Sequence, residues 1–170
     1  MRMLTRFGIV VALAAAVSAS DDKLDRATLR GIKAVCTIVE VTGPTQAGVP
    51  VSKERLQAEL DGRVEATGLV IDRNATTCLF LDVRPLPAMG RSKAIGRNDK
   101  PVGLHALDVT LQFLQTVTLA RDPSIKAYAP TWSVSNLATV PSDDVAATAR
   151  QITVDLADRF VKAYQSVNQK

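Results

Sequence analysis

Between Gly103 and Val140 the chain alternates apolar and polar residues for longer than any turn or helix could accommodate. Taken two by two, His105, Leu107, Val109, Leu111, Phe113, Val117 and Leu119 fall on one face. Asp108, Thr110, Gln112, Thr116 and Thr118 fall on the other. A period of two is the mark of a half-buried strand. Arg121-Asp122-Pro123-Ser124 then supplies turn chemistry, and Tyr128, Trp132 and Val134 define a second extended run. The stretch is a long antiparallel hairpin. From His105 to Leu119 it would span roughly 50 Å at about 3.3 Å per residue, far beyond a usual strand. Gln115 interrupts the apolar row, so a bulge or bend is expected near it.

The rest of the chain supplies a lead, two helices and three shorter strands. Arg2 and Arg6 precede an apolar run of 13 residues, Phe7 to Ala19, closed by Val17-Ser18-Ala19. Residues 1–20 therefore read as a cleaved secretory signal, since a membrane span needs about 20 apolar residues. No cysteine follows closely enough to be lipidated. Of the 21 basic residues two leave with the signal and none of the 17 acidic ones, so the mature chain is close to neutral. That gives no basis for nucleic-acid binding. Residues 21–30 form a frayed or briefly helical lead-in, and residues 31–170 suit one domain.

Within that domain Ile32–Val41 reads as the first strand, with Val35, Thr37, Val39 and Val41 on one face. Ser52 caps a helix to about Thr67, with Gly68 at its end and Leu56, Leu60 and Val64 as its buried stripe. Arg55–Glu59 and Glu59–Arg63 are expected as i,i+4 pairs on its wet side. Two strands follow, Leu69–Asp72 and Cys78–Arg84, then an irregular segment, Pro85–Val102, and the hairpin. A last helix, expected to be capped by Ser142, carries Val145, Ala149, Ile152, Leu156, Phe160, Ala163 and Val167 at spacings of three and four.

The order β-α-β-β-β-β-α gives an α+β fold, a mainly antiparallel sheet with two helices on one face. A split arrangement is expected, the third strand lying between the first two and antiparallel to both. Cys36 and Cys78 then fall on neighbouring strands, and an exported pair of this kind is expected to be bridged.

Chemistry is thinly marked. His105 is the only histidine and opens an apolar row, where a packing role is commoner than a catalytic one. No nucleophile elbow is present, and one histidine with two scattered cysteines has no metal-ligand spacing. No cofactor is expected. Gly43 to Gly48 begins like a phosphate loop, but Val49-Pro50 stands where Lys-Ser/Thr is required. Asn74-Ala75-Thr76 is a formal glycosylation sequon in a turn. Arg91, Lys93, Arg97 and Lys100, opposed only by Asp99, form a basic segment suited to an anionic partner.

Leu29-Arg30-Gly31-Ile32 before a valine-rich strand, the helix ending at Gly68, Thr131-Trp132, and Asp158-Arg159-Phe160 with Tyr164 resemble small exported proteins of Gram-negative bacteria. The element order is similar to the amino-terminal domain of the periplasmic translocation protein TolB and to lipoproteins that activate penicillin-binding proteins. That resemblance implies a periplasmic, non-enzymatic interaction domain, and it brings no catalytic residue. Its partner would be an envelope protein or an anionic envelope component, met by a sheet edge or the basic segment. The alternative is a small-ligand carrier with a pocket between sheet and helices near His105 and Trp132.

Overall fold

The computed structural model describes residues 21–43, 51–87, 93–95 and 101–168. In chain order the elements are α1 (Lys23–Ala27), β1 (Ala34–Val41), α2 (Lys53–Glu65), β2 (Val70–Ile71), β3 (Cys78–Pro87), β4 (Lys93–Ile95), β5 (Pro101–Leu119), β6 (Asp122–Pro141), a 3-10 turn (Ser142–Asp144) and α3 (Val145–Asn168). The α+β class expected from the sequence is observed. The sheet is mixed: β1 runs parallel to both β2 and β3, and all pairs made by β5 are antiparallel.

The expected split arrangement is not what forms. β1, not β3, is the strand in the middle, giving the order β2-β1-β3-β5-β6, with β4 on the first residues of β5. The link between β2 and β3 does not close a hairpin, because β2 is only two residues long and offers a partner almost no ladder. Asp72 turns the chain instead, its side chain accepting from the Asn74 amide at 2.9 Å. β3 takes the other edge of β1, where its apolar row, Leu79, Leu81 and Val83, stays under the helices and pairs onward with β5.

Two further differences have local causes. Pro85 and Pro87, assigned to an irregular segment, extend β3 along β5 to the pair Pro87–His105. β1 ends opposite Val83, so β3 is an edge from there on and tolerates residues without an N–H. The hairpin reverses at residues 120–121, and Asp122 already begins β6; its carboxylate accepts from the Ser124 amide and hydroxyl at 3.0 and 2.7 Å. The bulge expected near Gln115 lies at Phe113–Leu114, where Thr131 is the extra residue and its hydroxyl accepts from the Gln115 amide at 2.7 Å.

Both helices cover one face of the sheet. Ser52 caps α2 as expected, accepting from the Arg55 amide at 3.2 Å, and Gly68 follows its end with φ +83°. Leu56, Leu60 and Val64 are buried, as are seven of the apolar side chains that α3 turns inward, from Val145 to Ala163. Phe160 is the hub. It meets Trp132 edge-on at 5.5 Å and stacks with Phe113 and Tyr164, each at 6.2 Å. Such pairs contribute about 0.5–1.5 kcal/mol beyond the area they bury. Glu59 and Arg63 do not pair within α2. Each reaches α3 instead, Glu59 to Arg150 and Arg63 to Asp158 (2.6 Å), so charges expected on a wet face clasp the two helices.

Cys36 and Cys78 are directly opposite in the parallel ladder, 4.4 Å apart at Cα, and form a disulfide on the face away from the helices. No free cysteine remains. Closing a loop of 42 residues constrains the unfolded chain by about 2–4 kcal/mol. Thiol titration of the oxidised protein should therefore find none, and the paired substitution Cys36→Ala with Cys78→Ala should lower unfolding free energy by about that amount. Two titratable thiols, or an unchanged denaturation midpoint, would contradict the cross-link.

Candidate functional site

The residues singled out in the sequence do not converge. His105 pairs with Val140 at one end of the core, and Trp132 pairs with Phe113 eight residues further along β5. Neither borders the depressions described below. Lys93 lies in β4, opposite Gly103, while Arg91, Arg97, Lys100 and the signal segment 1–20 lie outside the described residues. Among the described residues no cluster of three His, Cys, Asp or Glu side chains could hold a metal, and no helix is long and apolar enough to cross a membrane.

His105 is buried, 5% exposed, beneath the start of the last helix. Ser142 does not cap that helix. Its hydroxyl donates to the Gly103 carbonyl at 2.9 Å and lies 3.2 Å from His105 Nδ1. With the hydroxyl hydrogen so placed, Nδ1 carries the imidazole hydrogen and donates to the serine oxygen. His105 Nε2 is buried and has no hydrogen-bond partner among the described residues. The arrangement ties β5 to the β6–α3 junction.

Trp132, 1% exposed, is an anchor. Its Nε1 donates to Asp21 Oδ1 at 2.8 Å, and Arg26 donates to both oxygens of the same carboxylate at 2.8 and 2.9 Å. Burial of Asp21 opposes its charged form, but hydrogen bonds from Arg26 and Trp132, with the charges of Arg26 and Arg159, outweigh it and hold the carboxyl below its ordinary value of 3.8. The lead-in is thus pinned, and Asp22 caps α1 by accepting from Leu24 and Asp25 at 2.7 and 2.9 Å.

The accessible features lie at the margins. A depression of about 780 Å³ between α1 and the end of α3 carries Lys23, Arg26, Leu24 and Val167. A smaller one of about 310 Å³ separates the first turns of α2 and α3. The third, about 510 Å³, follows the outer edge of β1 from Cys36 to Val39 and is walled by Gln57 and Asp61 of α2, with Lys53 and Arg73 at its margins. On β1 the even-numbered residues address β3, as the Cys36 amide donating to Thr77 and the Thr42 amide donating to Val83 show. The odd-numbered ones address the outer edge. Lys33 and Val35 carbonyls there accept from Val70 and Asp72, and then β2 ends. Thr37, Val39 and Val41 continue the edge with no strand beside them among the described residues.

Sequence reasoning placed Thr37 on the valine face of the first strand but missed its company. Thr37 Oγ1 donates to Asp61 at 2.6 Å, and Gln57 Nε2 donates to both Thr37 Oγ1 and Asp61 at 2.8 Å. Gln57 and Asp61 stand four apart on a helix, a spacing that could have drawn attention to the cluster. At the opposite margin the hairpin outruns the sheet. Past Leu114, β5 has only β6 for a partner among the described residues, and Ile125 and Tyr128 stand 44% and 53% exposed on this overhang.

No protein-family model matches the chain, and no curated protein matches it in sequence. Among solved structures it is similar to the PelC dodecamer from Paraburkholderia phytofirmans, at 16% identity over 88% of this chain and 96% of that one, TM-score 0.44. A minor lipoprotein from Acinetobacter baumannii aligns at 16% identity over 81% and 93%, TM-score 0.37. The rare lipoprotein B from Shewanella oneidensis aligns at 12% identity over 76% and 94%, TM-score 0.37. Two of these are named as lipoproteins; a likeness to TolB or to penicillin-binding-protein activators is not what they show. At these scores the likenesses are loose, and nothing about this chain's role is taken from them.

The Asp21 anchor has a pH signature. A folded-state value below 3.8 makes its contribution complete above that pH, and lost as pH falls through 3.8 and then through the folded value. Asp21→Asn should cost about 2 kcal/mol at neutral pH, the worth of charge-assisted hydrogen bonds, and the gap from the parent should close on acidification. Denaturant unfolding across that range measures it; a gap independent of pH would contradict the anchor.

Proposed function

We propose that this chain is a non-enzymatic interaction domain of the cell envelope, working in the periplasm through its sheet margins. The observation that carries the reading is the filled interface between the two layers. Val35, Val39, Leu60, Leu79, Leu81, Leu107, Leu111, Phe113 and Phe160 are wholly inaccessible there. A carrier needs a concave site of several hundred cubic ångströms in that position. Side chains occupy it instead, and His105 and Trp132 are part of the packing. Export is supported by the basic, apolar and small-residue order of residues 1–20 and by the disulfide, which suits an oxidising compartment.

The non-enzymatic part of the reading is supported by where His105 and Ser142 sit. His105 and Ser142 are bonded to each other and to the Gly103 carbonyl beneath the α3 start. The accessible features of the described residues include backbone edge and a hairpin overhang, the equipment of recognition.

The test is capture from the native host. The full chain, expressed with its own leader and a carboxy-terminal tag, should fractionate with the periplasm and recover a protein partner in defined stoichiometry after cross-linking. Retention in the cytosol would overturn the location. A bound small molecule in native mass spectrometry, in place of a protein, would overturn the interaction reading in favour of a carrier.

A further inference from the structure

The outer edge of β1 carries a recognition site more specific than the reading on which it rests. We infer that Thr37–Val41 accepts an extended peptide segment of a partner, alternating apolar and acidic residues, as an added strand in the lane that β2 leaves empty. Three observations converge on that occupant. The first is backbone chemistry. β2 satisfies the edge only as far as Val35, and the amides of Thr37, Val39 and Val41 point into the same lane with no strand partner among the described residues. The Thr37 carbonyl has only a long contact, 3.4 Å, from Gln57 Nε2. A row of unpaired donors and acceptors is a template for another strand.

The second is space. The groove of about 510 Å³ lies along this edge, between it and α2. At about 3.3 Å per residue, the five positions from Thr37 to Val41 take a segment of roughly 16 Å. The third is the pattern of charge and apolar surface. Lys53 and Arg73 are exposed at the groove and form no salt bridge among the described residues, Lys53 acting on its exposed neighbour Glu54 through charge alone, while Asp61 is held by Thr37 and Gln57. On the other face of the same lane Ile38 is 39% exposed. Glu40, exposed beyond Ile38, repels carboxylates on that face, whereas at the groove the two cations Lys53 and Arg73 outnumber the one carboxylate, Asp61. A strand entering the lane therefore turns acidic side chains toward Lys53 and Arg73 and apolar ones toward Ile38.

The opposite edge of the sheet is a poorer template. β6 is interrupted by Pro123 and Pro130, which have no N–H to offer, and Thr28 Oγ1 contacts the Thr131 carbonyl at 3.4 Å. No proline interrupts β1.

A fluorescent, end-blocked octapeptide alternating valine and glutamate serves as the probe, titrated into the full oxidised protein by anisotropy and by amide NMR. The expected result is saturable binding that weakens with salt, with the Thr37, Val39 and Val41 amides shifted most. Lys53→Glu combined with Arg73→Glu should weaken it about tenfold, as loss of two surface ion pairs allows. Lys53→Glu lies in the first turn of α2, where negative charge suits the helix dipole, so the fold is kept. A valine–lysine octapeptide should not bind. No shift at those three amides up to millimolar peptide, shifts centred on the hairpin overhang, or binding indifferent to salt and to the double substitution would each overturn the inference. Protection of the same amides that grows with protein concentration alone would assign the edge to a second copy and overturn it too. A captured partner cross-linked elsewhere would remove this site while leaving the interaction reading intact.

Discussion

The whole arrangement depends on β3 having a partner along each side. On one flank it runs parallel to β1 from Cys36–Cys78 to Val41–Val83; on the other it runs antiparallel to β5 from Cys78–Leu114 to Pro87–His105. The disulfide locks the first residue of that double ladder, and Leu79, Leu81 and Val83 carry the centre of the core. Because β3 commits both edges, β1 and the β5–β6 hairpin must each face outward on their far sides. The two margins of the sheet, and the features found on them, follow from that commitment.

The margins are finished differently. The hairpin side is long, proline-interrupted and pinned by the lead-in, where Asp21 bridges Trp132 and Arg26. The β1 side is short, and its natural cover, β2, stops after Ile71 because Asp72 turns the chain away. An edge left open over three outward-facing residues would be an aggregation hazard if it were flat and apolar. Here Glu40, Lys53 and Arg73 put charge around it, which protects the free protein and at the same time sets the terms for what can pair there.

Much of this was legible in the residues. The hairpin, a bulge near Gln115, both long helices and their buried stripes follow from period, and the start of α2 from its Ser52 cap, because those signals are local. The disulfide follows from parity, since Cys36 and Cys78 fall on the same face of strands that end up adjacent. Strand order was not legible. A β-α-β start followed by a short link is compatible with the third strand on either side of the first, and the choice is made by long-range pairing of β3 with β5. Partner choice on the helices was hidden for the same reason: Glu59 and Arg63 have suitable neighbours within α2, yet Arg150 and Asp158 lie closer once α3 docks. The open edge could not be read at all, because it is defined by where β2 ends.

Central to this account is a β1 whose alternate residues live in two environments, one inside the sheet and one facing an empty lane. Amide hydrogen exchange of the free, oxidised protein, resolved residue by residue, tests that directly. Cys36, Ile38 and Glu40, bonded to β3, should exchange slowly, while Thr37, Val39 and Val41 exchange far faster in the same strand. Uniform protection along β1 would mean that the edge is already covered, and the account would be wrong.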